Sequence, residues 1–317
     1  MSLNRREFLL QTGMASAGLL GGWIFPARTH AFTPATKESW SFIHFTDVHV
    51  QPELRASEGY RMAVRAMNQL EPQPDLAIAG GDLVFDVFET GFERADQLYR
   101  MYGEITRGLD IPVYHTIGNH DLFGVNPKSG VLQTHPEYGK KMYAKRVGEE
   151  KTYRSFDFQD WHFILLDSIF ITPALDYQGR IDDEQFTWLQ KDIRDVGPRR
   201  PIVLVTHIPF FSILPALEKG PMEAVSPDLV IANTKDVLGF CADYNVKLIL
   251  QGHLHIVEDH QYKRTQYTTS GAVCGNWWKG PRLGHPEGFA VYTIHQERIE
   301  WRYQTYGWHA ENIEGQA

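Results

Sequence analysis

Five short apolar runs in this chain end in the same way: each leads at once into residues that bind metals or carry protons. "FIHFT" leads into Asp47 and His49, "LAIAGG" into Asp82, and "HTIG" into Asn119, His120 and Asp121. "VLVT" leads into His207, and "LILQG" into His253 and His255. Such near-continuous apolar runs suit strands buried on both faces, which need helices on either side of a sheet. In open α/β sheets, ligands gather outside the carboxyl ends of strands. A rigid set of strands can therefore bring five loops from distant parts of the chain to one volume.

The segments between the runs agree with that layout. "SEGYRMAVRAMNQL", opened by Ser57, "GFERADQLYRMYGEIT" and "DDEQFTWLQKDIRDV" carry helical periodicity. The last has acidic residues in its first turn, where they suit the helix dipole. "YRSFDFQDWHFILLDS" predicts a hairpin turning at Gln159 and Asp160. The stretch 123–148 is irregular, and 266–308 is strand-rich. No repeat or linker divides the chain, and candidate site residues run from Asp47 to His255. The expectation is one mixed α/β domain over residues 32–317. Asp47 and His49 are two apart, as are His253 and His255. In extended chain alternate side chains point the same way, so each pair is expected to present two ligands together.

The collected side chains are carboxylates, imidazoles and one amide, a set that suits Mn, Fe, Zn or Co. They outnumber the ligands of one ion and so predict two. At this point the sequence resembles the calcineurin-like metallophosphoesterases. The family's ordered blocks stand here as "DVH" at 47–49, "GGD" at 80–82, "GNHD" at 118–121, "TH" at 206–207 and "GHLH" at 252–255. The resemblance implies a four-layer αββα sandwich of two mixed β-sheets flanked by helices, holding two divalent or mixed-valence transition-metal ions. Carried over by position, Asp47, His49, Asp82 and His255 would hold one ion. Asp82 would bridge to the second, completed by Asn119, His207 and His253. His120 would face the scissile phosphate and protonate the leaving oxygen, with Asp121 placed to orient its ring. The Tyr ligand of purple acid phosphatases is replaced by Phe85, which sets that branch aside.

The implied reaction is hydrolysis of a phosphomonoester or small phosphodiester by metal-bound hydroxide, because such ions acidify water and clamp phosphoryl oxygens. No covalent phospho-enzyme is expected. A cyclic-nucleotide-type phosphodiesterase or nuclease on the same metals is one alternative. A catalytically silent scaffold of the same fold is another. Without metal, Asp47 and Asp82 are expected to repel, which would raise their pKa values.

Composition narrows the partners. A net charge of −8 argues against nucleic acid or an anionic membrane surface. It leaves room for a small phosphate ester, because bound cations reverse the local sign. There is no GxSxG elbow and no P-loop. Cys241 and Cys274 form no CxxC pair, and both a disulfide and two buried thiols stay open. His44, His115 and His162 lie inside strand-like patterns and are expected to be structural. Trp277 and Trp278 either line the pocket or pack in the core. Lys140, Lys141, Lys145 and Arg146 form a basic run, either a solvated helix face or a contact for a second phosphate.

The N-terminal segment carries Arg5 and Arg6 ahead of a glycine-rich apolar run, Leu9 to Phe25. That run is short for a membrane span. It resembles a twin-arginine export signal, although Asn4 stands where Ser or Thr is usual. The resemblance implies a signal segment over residues 1–31 read by export machinery, and a mature protein in the bacterial periplasm with no membrane span. An uncleaved N-terminal anchor is the competing reading.

Overall fold

Strand β1 (Ser39–Phe45) serves two cores at once. Trp40 and Phe42 point into a core between two sheets, whereas Ile43 and Phe45 join a second core formed with helices. This is the period-two alternation of a strand with apolar partners on both faces. The structure, a computed structural model, describes residues 38–311. The segment expected to direct export lies outside them.

After β1 come α1 (Ala56–Asn68), β2 (Leu76–Ala79), α2 (Phe92–Thr106), β3 (Val113–His115) and α3 (Lys140–Val147). Next are β4 (Arg154–Phe158), β5 (Trp161–Leu165), the short hairpin β6 (Ile169–Ile171) and β7 (Tyr177–Gly179), and α4 (Asp183–Val196). The chain continues through β8 (Ile202–Val205), α5 (Leu214–Lys219), α6 (Thr234–Cys241) and β9 (Val246–Gln251). It closes with β10 (Val257–Tyr262), β11 (Thr265–Ser270), β12 (Gly288–His295) and β13 (Arg298–Thr305).

One sheet has the order β13-β12-β1-β2-β3, the other β10-β11-β9-β8-β5-β4. Both are mixed: β1-β2-β3 and β5-β8-β9 run parallel, while β12 and β4 pair antiparallel to their neighbours. Phe42 stacks on Tyr292 at 4.9 Å and meets Phe163 edge-on at 5.5 Å, which seals the inter-sheet core. Such pairs add roughly 0.5–1.5 kcal/mol each beyond their burial. The outer core holds Phe45, Tyr60 and Leu98 on one side, and Ile249, Leu189 and Ile193 on the other. The expected αββα sandwich is thus the observed one.

Local expectations held where a side chain does the local work. Asp182 caps α4 by accepting from the Gln185 amide at 2.8 Å, and the β4–β5 hairpin turns at Gln159 with φ 51°. Two features differ. Helix α1 starts at Ala56 behind Arg55, whose backbone is left-handed, and Ser57 does not cap it. Strand β10 went unread because "VEDHQY" is a mostly polar edge strand with an apolar start. Among the described residues, no helix is long and apolar enough to cross a membrane.

Candidate metal centre

The loops that leave β1, β2, β3, β8 and β9 meet at one end of the sandwich. Five of the candidate residues there have left-handed backbone: Asp47 (φ 55°), His49 (43°), Asp82 (51°), His253 (72°) and His255 (57°). Non-glycine residues visit this region at a cost of about 1–3 kcal/mol each and concentrate at functional sites. The extended alternation expected for the two spaced pairs is therefore absent. Tight left-handed turns, not the pleat, bring both members of each pair inward. Main-chain bonds knit the loops together: Asp47 N–H donates to Gly81 at 3.0 Å, His49 N–H to Asp82 at 3.0 Å, and Cys274 N–H to Asp47 at 3.1 Å. Glycine is a steric requirement here. A Cβ on Gly81, at φ 97°, would come within 2.6 Å of His207 Nδ1, and one on Gly118 would collide with Asp82 Oδ1.

All seven predicted ligands converge, and six are buried, with His253 half-buried. His255 Nε2 lies 3.2 Å from Asp47 Oδ1 and 3.2 Å from His49 Nε2. His207 Nε2 lies 3.1 Å from Asn119 Oδ1. A single atom, Asp82 Oδ2, stands between the two groups, 3.4 Å from His49 Nε2 and 3.1 Å from His207 Nε2. Three of the four far nitrogens are anchored on carbonyls, and that of His49, Nδ1, is buried without a hydrogen-bond partner. His207 Nδ1 bonds Gly80 at 2.9 Å, His255 Nδ1 bonds Gly275 at 2.6 Å, and His253 Nε2 bonds Asp228 at 2.9 Å. A ring that donates from one nitrogen has its other lone pair fixed toward the centre, which is how metal-binding imidazoles are oriented. Cys274, which sequence reasoning left outside the site, lies behind His255, with Sγ 3.7 Å from Nδ1.

The electrostatics correct one expectation. Burial alone would raise the Asp47 and Asp82 carboxyls, but both lie below the usual range. His255 and His207 hold Asp47 down, and His207 and His120 hold Asp82 down. Mutual repulsion loses because imidazoles take up the protons. Against its burial penalty, His207 rises to about 9 under the pull of Asp82 and Asp47. His255 rises well above its ordinary value against the same penalty, through Cys274 and Asp47. Burial, together with the charge on His207, lowers His253 to about 4. The protein alone thus balances the facing acceptors of this cluster only by placing protons among them, and it leaves His49 Nδ1 without a partner. Two carboxylates, three imidazoles and one amide oxygen face one another across 3.1–3.4 Å, and His253 has a ligand atom within 4.8 Å of Asp82 and His207; together they are a donor set that fits divalent cations.

His120 borders the cluster, its ring centroid 5.0 Å from that of His49. Asp121 is not the group that faces its ring. Its two oxygens accept from the Leu83 amide at 3.0 Å and the Gly118 amide at 2.9 Å, so it pins the loop that carries Asn119 and His120. Burial and the Asp82 charge raise its carboxyl to about 7. The carboxylate beside His120 is Asp86, with Oδ1 3.6 Å from Nδ1, an ion-pair distance too long for a hydrogen bond. Asp86 follows the "GGD" block by four residues, a nearness that is the one signal the sequence held for it.

The remaining candidates sort cleanly. Trp278 is buried, and its Nε1 donates to the Val48 and His49 carbonyls at 3.1 and 3.0 Å. Trp277 is half-exposed, its ring 4.0 Å from that of His49 and 4.9 Å from that of His120. Cys241 and Cys274 are free, buried thiols. His44 bonds Ser270 Oγ at 2.7 Å, and His162 is held between Asp157 and Asp192 at 2.6 and 2.9 Å. In the basic run, Lys140 pairs with Asp167, Lys145 with Glu137 and Arg146 with Asp96, so three of its four charges are already engaged.

Comparison with known proteins points the same way. The profile of the family described as "Calcineurin-like phosphoesterase" matches residues 41–257. The serine/threonine-protein phosphatase CPPED1 of Bos taurus is 26% identical over 80% of this chain and 74% of its own length. The 3',5'-cyclic-nucleotide phosphodiesterase alr5338 of Nostoc sp. is 23% identical over 74% of this chain and 78% of its own. Among solved structures, a dimetal phosphatase from Danio rerio superposes with a TM-score of 0.61 at 14% identity, covering 84% of this chain and 96% of that one.

Proposed function

The chain belongs to the calcineurin-like phosphoesterase family, and from that premise we propose that its seven converging side chains hold two metal ions that cleave a phosphomonoester or small phosphodiester. It is a metal-dependent phosphoric ester hydrolase. The observation that carries the two-ion reading is Asp82 Oδ2, one oxygen set between His49 and His207. Asp47, His49 and His255 would hold one ion, and Asn119, His207 and His253 the other, with Asp82 shared. Bound ions of this kind supply Lewis acidity, which acidifies water and neutralises phosphoryl oxygens. Which metal they are is left to the donor set, which admits Mn, Fe, Zn or Co.

The chain's own groups supply the rest. His120 stands beside the cluster with Nδ1 turned to Asp86, which leaves Nε2 to give a proton to the leaving oxygen. Asp121 holds the loop that aims it. Asn119 brings a neutral oxygen where an aspartate would cancel cationic charge. The relatives' names divide between a protein phosphatase and cyclic-nucleotide phosphodiesterases, so the ester class needs a direct test. Hydrolysis of bis(p-nitrophenyl) phosphate and p-nitrophenyl phosphate, with metal analysis on the same sample, provides it. Turnover of either with two ions bound supports the reading, and their ratio assigns the class. Two bound ions with no turnover of any ester would refute it.

We further propose export through the N-terminal segment, motivated by Arg5, Arg6 and the apolar run behind them. Replacing both arginines with lysine should keep the protein in the cytoplasm of a bacterial host. Unchanged appearance in the periplasm would refute this.

A further inference from the structure

The cleft beside His120 has a composition that the metal chemistry does not require. It measures about 340 Å³, and its lining includes Gln51, Phe85, Asp86, His120, Trp277 and Lys279. An enclosed apolar cavity of roughly 150 Å³ already accommodates benzene, so a planar ring fits with space to spare. Two aromatic rings form a corner: Phe85 stands edge-on to Trp277, centroids 5.8 Å apart and planes at 85°. Trp277 packs over His49 at 4.0 Å and His255 at 5.2 Å, yet it stays half-exposed while its neighbour Trp278 is buried. Both tryptophans have left-handed backbone, φ 56° and 65°, a strained turn that sends one ring inward and the other to the site. An indole that served only as packing would have no need of an open surface in a cleft.

Resting on the phosphoesterase reading, we propose that this corner is a leaving-group subsite selecting esters whose leaving oxygen is borne directly on an aromatic ring. The nearness of the aromatic corner to the proton donor is what points to a ring on the leaving oxygen itself. The Trp277 ring centroid lies 4.9 Å from that of the proposed proton donor His120, so a ring held against the indole lies close to the leaving oxygen. Lys279, exposed at the cleft's edge, offers a cation to a polar substituent on the far side of that ring. Trp277 is thus a specificity residue that touches the leaving group.

The test uses the metal-loaded full chain and two unreactive probes, phenylphosphonate and methylphosphonate, measured by calorimetry. Stacking on one aromatic side chain contributes about 1–3 kcal/mol, so phenylphosphonate should bind about 10-fold more tightly. Trp277→Ala should bring the two affinities to within about 3-fold, Trp277→Phe should keep most of the preference, and Phe85→Ala should weaken it. Hydrolysis supplies the second arm: kcat/KM for phenyl phosphate should fall in Trp277→Ala more than for glycerol phosphate. Equal affinities for the two probes in the wild type, or an unchanged preference in both Trp277→Ala and Phe85→Ala, would overturn the subsite while leaving the hydrolase reading intact. A clear preference for adenosine 5'-monophosphate over phenyl phosphate would overturn the phenolic assignment. Failure of the wild type, with two ions bound, to hydrolyse any ester would instead count against the phosphoesterase reading itself.

Discussion

The inter-sheet core and the candidate metal centre are built on the same strands, a few residues apart, and six of the seven candidate ligands are as buried as the core. Along β1, Phe42 meets Tyr292 and Phe163 and is complete. Five residues on, Asp47 meets imidazoles whose lone pairs face one another, His49 Nε2 and His255 Nε2 at 3.2 Å. Burial of these side chains alone does not distinguish the two regions. What distinguishes them is whether the protein alone satisfies what it has buried. The core is self-sufficient. The centre balances only by protonating its own imidazoles, or by admitting cations.

Substitutions should separate the two regions. Asp82→Asn should have the largest effect. It should lower turnover by more than about 10²-fold, since outer partners of metal ligands already cost 10- to 100-fold, and it should hold fewer than two ions per chain. Normal turnover with two ions would erase the distinction. His120→Ala sharpens it from within the site: both ions stay, while rate falls roughly 10²–10⁴-fold. The fall should be smaller for p-nitrophenyl esters, whose leaving group needs less protonation, and an equal fall for alkyl esters would count against a proton donor. Phe163→Ala does the reverse. It should cost about 3–5 kcal/mol in urea unfolding while the folded fraction still binds two ions. Lost metal at full stability would mean that the core and the site are not separable.

Two pH effects carry the comparison further. His207 is raised to about 9 in the metal-free protein, so its proton must leave before a cation can take its lone pair. Metal affinity should therefore climb with pH and level off only above about 9, with proton release detectable by calorimetry in buffers of different ionisation enthalpy. The sign for stability is opposite. A raised folded pKa stabilises the metal-free protein below the unfolded value of about 6.5, and this is lost as pH rises toward 9. The smallest effect belongs to His162, a histidine completed by protein alone. Against partial burial, Asp192 and Asp157 raise its pKa. Its contribution, about 1 kcal/mol because Asp157 is half-exposed, should be present below about pH 6.5 and lost above the raised folded value. The stability gap between wild type and His162→Asn should narrow on that rise, and a gap independent of pH would contradict the pairing.

The sequence carried the fold's layers and the site's donors for a physical reason. A ligand placed directly after an apolar strand inherits its position from the sheet, so Asp47, Asp82, Asn119, His207 and His253 were legible from their neighbours. Groups that act across the fold were not. Cys274 reaches His255, Asp228 anchors His253, and Asp86 faces His120 through tertiary contacts that no spacing encodes. Asp121 was read as a partner of His120 because it is adjacent in sequence, but the single turn containing both sends its carboxylate back to the Gly118 amide. The left-handed turns at Asp47 and His253 were hidden for a similar reason: Asp and His are enriched at positive φ among non-glycine residues, yet most of them do not adopt it, so their identity marks no turn as glycine's does.

Metal titration of the chelated, metal-free protein, followed by ester hydrolysis at each addition, tests the central claim most directly. The account predicts saturation at two ions per chain, with activity returning only as the second is bound. Saturation at one ion or none, or hydrolysis that survives chelation, would contradict it.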